Sequence, residues 1–287
     1  MRGTVSRCAA ALLLALGVAT TAQGQRARDD SLRIVFFDVG QGDAAMIVTP
    51  EGKHILVDAG PDGARITSLL EPYALTTLDL VVASHNHADH IGGMADIFAK
   101  YQVKEYLENG VPALTKTYRR TVDAVTKEKG LTVREATSRR FRAGSASLTI
   151  LAPVGADESQ NNNSVGLALE FGTFSAVFSG DAEGRELDNW LGVWSLTHVS
   201  VLKASHHGST NGVTPGWMAA LTPRVVVVSV GAGNTYGHPA KDVLLGWQSQ
   251  GARVYRTDAV GTITVSAARD GGFSVTTSSG AMPWVSR

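Results

Sequence analysis

The segment Leu78-Asp79-Leu80-Val81-Val82-Ala83-Ser84-His85-Asn86-His87-Ala88-Asp89-His90-Ile91-Gly92-Gly93 sets a short apolar run directly against three histidines and an aspartate. The run reads as a buried strand, and the following Met94-Ala95-Asp96-Ile97-Phe98 reads as a helix. The polar cluster therefore sits on a strand-to-helix loop, where open α/β sheets place their chemistry. Imidazole and carboxylate at this density offset their desolvation mainly by coordinating a metal. Alternation along extended chain lets His85 and His87 point one way, while Asp89 and His90 open the helix toward a second ion.

His-x-His-x-Asp-His after an apolar strand resembles the metallo-β-lactamase superfamily. Further segments narrow the likeness: Phe37-Asp38-Val39-Gly40-Gln41-Gly42-Asp43-Ala44, Asn162-Asn163-Ser164, Ser179-Gly180-Asp181, Lys203-Ala204-Ser205-His206-His207-Gly208-Ser209 and Tyr236-Gly237-His238-Pro239. Together they are similar to the soluble C-terminal hydrolase domain of the ComEC family of DNA-uptake proteins, from about Leu32 to Val275. The resemblance implies an α/β fold, the αββα sandwich of two mixed β-sheets packed between helices. It implies a single domain over residues 32–287. The membrane-channel portion of full-length ComEC proteins has no counterpart here, so transport is not implied.

Composition is compatible with that reading. The chain has 287 residues, 44% of them hydrophobic, enough for a sizeable core. Formal charge is zero, so no global basic field advertises a nucleic-acid partner. Arg2 and Arg7, the apolar stretch Ala9 to Val18 and the small residues Ala22-Gln23-Gly24 read as a secretory signal over residues 1–24. A flexible N-terminus over residues 25–31 follows. The expected mature protein is secreted or periplasmic, without stable membrane insertion after cleavage and without an obligate protein partner. Its only cysteine, Cys8, lies in the leader, so the mature chain would form no disulfide.

The mature chain opens as a β-meander through Arg33–Phe37, Ala44–Val48 and His54–Val57, turning at Gly40-Gln41-Gly42 and Pro50-Glu51-Gly52. Asp38, Asp43 and Asp58 fall at strand ends, where turn chemistry accounts for aspartate. The resemblance gives Asp58 a further role, orienting a liganding imidazole from behind. Lys116 to Arg142 is unusually basic, with nine lysines and arginines against three acids. That suits a phosphate backbone, but a solvated helix face looks much the same and is the commoner meaning of a charge run.

No histidine occurs between His90 and Asp181, where the superfamily usually supplies another ligand. Asn163, within Gln160–Ser164, could reach a metal or substrate instead, because an amide oxygen is a weaker ligand than imidazole. Asp181, at the end of a buried strand, needs a cationic partner and reads as a bridging carboxylate. Correspondence with related phosphodiesterases makes His238 the last ligand of the second site, with His206 or His207 meeting the substrate; spacing leaves the reverse open. The expected metal set is His85, His87, Asp89, His90, Asp181 and His238. Catalytic candidates are Asp89, His206 and His207, and substrate candidates are Asn163, Lys203, Ser209 and Asn234.

These residues imply two divalent metal ions, zinc or manganese, activating water for hydrolysis. A phosphodiester, in DNA or another nucleic acid, is the expected substrate. Three alternatives stand beside it: a phosphorylcholine or cell-envelope phosphodiesterase, a β-lactamase or lactonase, and a non-catalytic DNA-binding module.

Overall fold

The computed structural model describes residues 30–155 and 157–284. The expected leader lies outside the described residues, as do residues 25–29. Among the described residues, fifteen strands form two sheets. The first sheet takes β1 (Leu32–Phe36), β2 (Ala45–Val48), β3 (His54–Val57), β4 (Thr77–Val82), β5 (Gln102–Glu108) and β6 (Thr132–Glu135). The second takes β7 (Arg139–Ala143), β8 (Ala146–Leu151), β9 (Gly166–Phe171), β10 (Phe174–Phe178), β11 (Val201–Lys203), β12 (Val225–Val228) and β13 (Arg253–Arg256). The chain then returns to the first sheet with β14 (Ile263–Ala267) and β15 (Phe273–Thr277), giving the order β15-β14-β1-β2-β3-β4-β5-β6 against β13-β12-β11-β10-β9-β8-β7.

Both sheets are mixed, and their central strands are apolar on both faces because both faces are covered. In β1, Ile34 and Phe36 enter the core between the sheets, while Val35 packs toward the helices. In β12, Val225 and Val227 face the first sheet and Val226 and Val228 the second helical layer. The Phe36 and Phe178 rings stack at 5.7 Å across the interface. One helical layer holds α1 (Gly63–Leu70), α2 (Ala88–Ile91), α3 (Met94–Lys100) and α4 (Lys116–Lys127). The other holds α5 (Gly184–Val193), α6 (Pro215–Leu221) and α7 (Lys241–Ser249), whose Trp190, Trp217 and Trp247 are buried. A short α8 (Thr257–Val260) precedes β14. This is the αββα sandwich implied above.

Local signals account for the helix starts. Asp62 caps α1, accepting from the Ala64 and Arg65 amides, and Thr115 caps α4 through the Tyr118 amide. Strands β3 and β4 run parallel, as do β10, β11 and β12. Their C-terminal ends deliver Asp58, Ser84–His90, Asp181, Ser205–Ser209 and Ser229–Pro239 to one edge of the sandwich. No helix among the described residues is long and apolar enough to cross a membrane.

Candidate metal centre

His90 anchors the site. It is fully buried on α2, and its Nδ1 lies 2.9 Å from Asp58 Oδ2. The Ser84 amide and hydroxyl donate to the same carboxylate at 2.7 and 2.8 Å, so Asp58 is held from both sides. This directs His90 Nε2 toward Asp181, 3.2 Å from its Oδ2, and Asp89, 3.8 Å from its Oδ2. His207 closes the group, its Nε2 3.1 Å from Asp89 Oδ2 and 3.4 Å from Asp181 Oδ2. Asp89, His90, Asp181 and His207 thus offer four ligand atoms within 4.8 Å of one another.

His85 and His87 stand beside this group. Their Nε2 and Nδ1 converge at 2.9 Å, and the His85 ring lies 4.2 Å from that of His90. Gly42 permits the loop its position: it has φ +137, and a Cβ there would fall 2.1 Å from the Asp89 carbonyl oxygen. The Asp43 amide donates to that carbonyl at 3.1 Å. A close backbone approach of this kind requires glycine.

The electrostatics fit a cation. Burial opposes charge on His90 and His207, yet the surrounding carboxylates, Asp181 foremost, outweigh it and hold both imidazoles well above their usual pKa. Burial works against ionisation of Asp181 as well, but His207 and His90 hold it well below the carboxylate range. Burial, with His90 nearby, keeps His85 neutral. His90 Nε2 and Asp181 Oδ1 remain buried without a hydrogen-bond partner. Protons on two imidazoles here fill the role that a divalent ion takes when it binds and displaces them. The donor set of imidazole and carboxylate suits zinc or manganese alike.

Asp43, Asp58 and His90 form a second close group. It already has its cation: the buried Lys203 ammonium contacts Asp43, sits 3.7 Å from Asp181 Oδ1 and donates to the Gly180 carbonyl at 2.9 Å. Lys203, expected from the sequence to contact substrate, here turns its ammonium to protein groups and props the carboxylates from beneath. Asp43, assigned there to turn chemistry, belongs to this support.

The three other residues expected to contact substrate also have protein partners. Asn163 is fully buried, accepting from the Asp157 amide at 2.8 Å and donating to the Asp157 and Ser159 carbonyls. Its amide closes the loop, both Nδ2 hydrogens and one Oδ1 acceptor site being taken by the backbone. Asn234 spends its side chain on the Gly231 and His238 carbonyls and the Tyr236 and His238 amides. Ser209, mostly buried, donates to Asn211, which in turn holds Glu183.

His238 stands outside the four-atom group, where His207 takes the place expected for it. The reason is backbone conformation: His206 and His207 both adopt left-handed angles, φ 45 and 53, which turn His207 inward. Ser229's carbonyl then fixes His207 Nδ1 at 2.9 Å. His206 faces the mouth, its Nε2 3.9 Å from Asp181 Oδ2 and its Nδ1 3.6 Å from Glu183. The His238 ring lies 5.3 Å from His206 and is covered by the exposed Tyr236 ring at 6.0 Å.

With this site at the strand ends of an αββα sandwich, the metallo-beta-lactamase superfamily profile matches residues 37–214. The chain belongs to the metallo-beta-lactamase superfamily. Among curated proteins it is similar to ComE operon protein 3 of Bacillus subtilis, 27% identical over 79% of this chain and 32% of that one. It also resembles competence protein ComA of Neisseria gonorrhoeae, 26% identical over 85% of this chain and 33% of that one. A third relative, recombination protein 2 of Haemophilus influenzae, is 26% identical over 81% of this chain and 28% of the other. The chain thus spans about a third of the length of these relatives. Among solved structures, a metallo hydrolase from Ignicoccus hospitalis gives a TM-score of 0.54 at 18% identity, over 82% of this chain and 98% of that one. The metallo-beta-lactamase fold protein YhfI of Bacillus subtilis gives 0.53 at 11% identity, over 78% and 96% respectively. These two likenesses bear on the fold alone.

Proposed function

We propose that this superfamily hydrolase cleaves phosphodiesters, with nucleic acid as its substrate class and two divalent ions, zinc or manganese, as cofactors. The arrangement of His206 carries the reading. An imidazole at the mouth, within 4 Å of the carboxylate that would bridge the ions, is where a leaving oxygen needs a proton. Relatives named for competence and recombination favour nucleic acid over an acyl substrate.

Asp89, His90, Asp181 and His207 would hold one ion, and His85 and His87, sharing Asp181, the other. Divalent ions there supply Lewis acidity and lower the pKa of water. Asp89, a third exposed, accepts the proton of the attacking water. Water oxygen bonds to phosphorus, the ester P–O bond breaks, and His206 Nε2 donates a proton to the departing oxygen. Glu183, facing His206 Nδ1, and the Tyr236–His238 stack define the wall along which the leaving group lies. Lys116, Arg119 and Arg120 on α4, which packs against α2, add positive charge for the adjoining phosphates.

The test is hydrolysis of bis(p-nitrophenyl) phosphate and single-stranded DNA by protein loaded separately with Zn²⁺ and Mn²⁺. Metal-dependent turnover that disappears in His87→Ala is expected. Metal-loaded protein inert toward both substrates overturns the phosphodiester assignment. The same protein is expected to leave nitrocefin and simple lactones intact. Secretion is proposed with it, and a fusion of residues 1–29 to a reporter should reach the periplasm.

A further inference from the structure

The basic segment read from the sequence divides in the fold, and its distal half surrounds a cavity unconnected with the metal centre. The cavity, about 560 Å³, opens at the β6–β7 edge of the sandwich. Lys53 and Asp79 mark its end of the strands: Lys53 precedes β3, whereas Asp58 at the metal centre follows β3. Asp79 enters β4, whereas Ser84 and the histidines leave it.

Its rim carries Lys53, Lys104, Arg134, Arg139 and Arg142, against the two carboxylates of Asp79 and Glu105. Asp79 takes both lysines, at 3.0 and 2.8 Å, and Glu105 takes Arg134 at 2.8 Å. Arg139 and Arg142 meet no carboxylate among the described residues. Arg139 donates to the Thr137 hydroxyl at 2.9 Å and Arg142 to the Ser145 carbonyl at 3.2 Å, so most guanidinium donors stay open. The floor is different in kind. Ile55, Leu80 and Ile150 reach it from the core between the sheets, and Phe141 lines its side.

A volume in the range of small-ligand pockets, an apolar floor and two guanidiniums without counter-charge specify one ligand chemistry. We propose that this cavity binds an amphiphilic anion: an apolar chain or ring system ending in a carboxylate, sulfonate or phosphate. The apolar body lies on Ile55, Leu80, Ile150 and Phe141. The head meets Arg139 and Arg142, where planar guanidinium forks match a carboxylate or phosphate. Inorganic phosphate would satisfy the charge but leave the floor wet, and a cationic amphiphile would meet the excess positive charge.

Isothermal titration of the whole protein with laurate tests this, beside dodecyltrimethylammonium and inorganic phosphate. One laurate per chain is expected, bound at least about tenfold more tightly than each comparison ligand. The Arg139→Ser/Arg142→Ser variant should lose about tenfold in laurate affinity, with its thermal melt and its metal content unchanged. Equal binding of the cationic amphiphile or of phosphate overturns the proposal. So does laurate binding that the arginine substitutions leave intact.

Discussion

The presence of His207, and not His238, among the four converging ligand atoms has a measurable consequence. His207 is 2% exposed and fixed at both ring nitrogens, by Ser229's carbonyl and by the carboxylates of Asp89 and Asp181. His238 is outside the four-atom group; its ring lies 6.4 Å from that of His207 and stacks on an exposed tyrosine. His207→Ala should therefore lower metal affinity beyond the roughly 10–100-fold that loss of an orienting partner costs. Asp58→Asn should fall within that roughly 10–100-fold range, because it releases His90 without removing a ligand. His238→Ala should keep full metal content and raise KM more than it lowers kcat. Metal analysis after dialysis against a competing chelator separates the three. A site emptied by His238→Ala and retained by His207→Ala would reverse the ligand assignment. The sequence could not have chosen between them: both histidines follow strands of the same sheet, and left-handed angles at two successive histidines leave no mark on residue type.

Elements were legible in proportion to how far their signals are local. The strand β4, the ligand loop and α3 follow directly from an apolar run, clustered donors and helical spacing, all within Thr77–Lys100. The edge strand β7 does not: Arg139-Arg140-Phe141-Arg142-Ala143 has three cations and shows only a weak alternation, because it pairs on one side alone, Arg139 opposite Ile150. Loop amides misled for the same reason. Whether Asn163 and Asn234 serve a ligand or their own backbone depends on distant closure, not on spacing. Helix α5 adds a feature that no motif announces. Burial pushes the Glu186 carboxyl up to about 7, although it accepts from the Val154 amide at 3.1 Å. A carboxyl with a raised folded pKa binds more protons folded than unfolded, so stability falls as pH rises from the usual carboxylate range toward 7. Glu186→Gln should flatten that slope and gain on the order of 1–2 kcal/mol at pH 8, the full shift being discounted because the carboxylate keeps the Val154 amide as a donor. Urea unfolding at pH 5 and pH 8 measures it. A variant with the same pH slope as the parent would mean that Glu186 ionises freely in the folded protein.

At the scale of the whole molecule, the metal centre is a joint between the two sheets. Asp89 and His90 come from the first sheet by way of α2, while Asp181 and His207 follow β10 and β11 of the second. Without a cation, the contacts across this joint depend on imidazole protons among buried carboxylates and on Lys203. Such charge pairs return little more than their desolvation costs. A divalent ion would tie both sheets through the same four side chains, and the unfolded chain, which cannot assemble them, would bind it weakly. Ligand present at about a hundredfold over its Kd stabilises the folded state by about 2.7 kcal/mol. For a domain of this size that corresponds to a rise in Tm on the order of 5–10 °C. Thermal melts with EDTA, Zn²⁺ and Mn²⁺ should show this rise for the parent protein and lose it in Asp181→Asn, which removes a charge from the centre of the joint. The Arg139→Ser/Arg142→Ser variant, altered at the far end of the strands, should keep the full shift. A rise that survives in Asp181→Asn would place the stabilising ion elsewhere on the molecule and separate the joint from the chemistry.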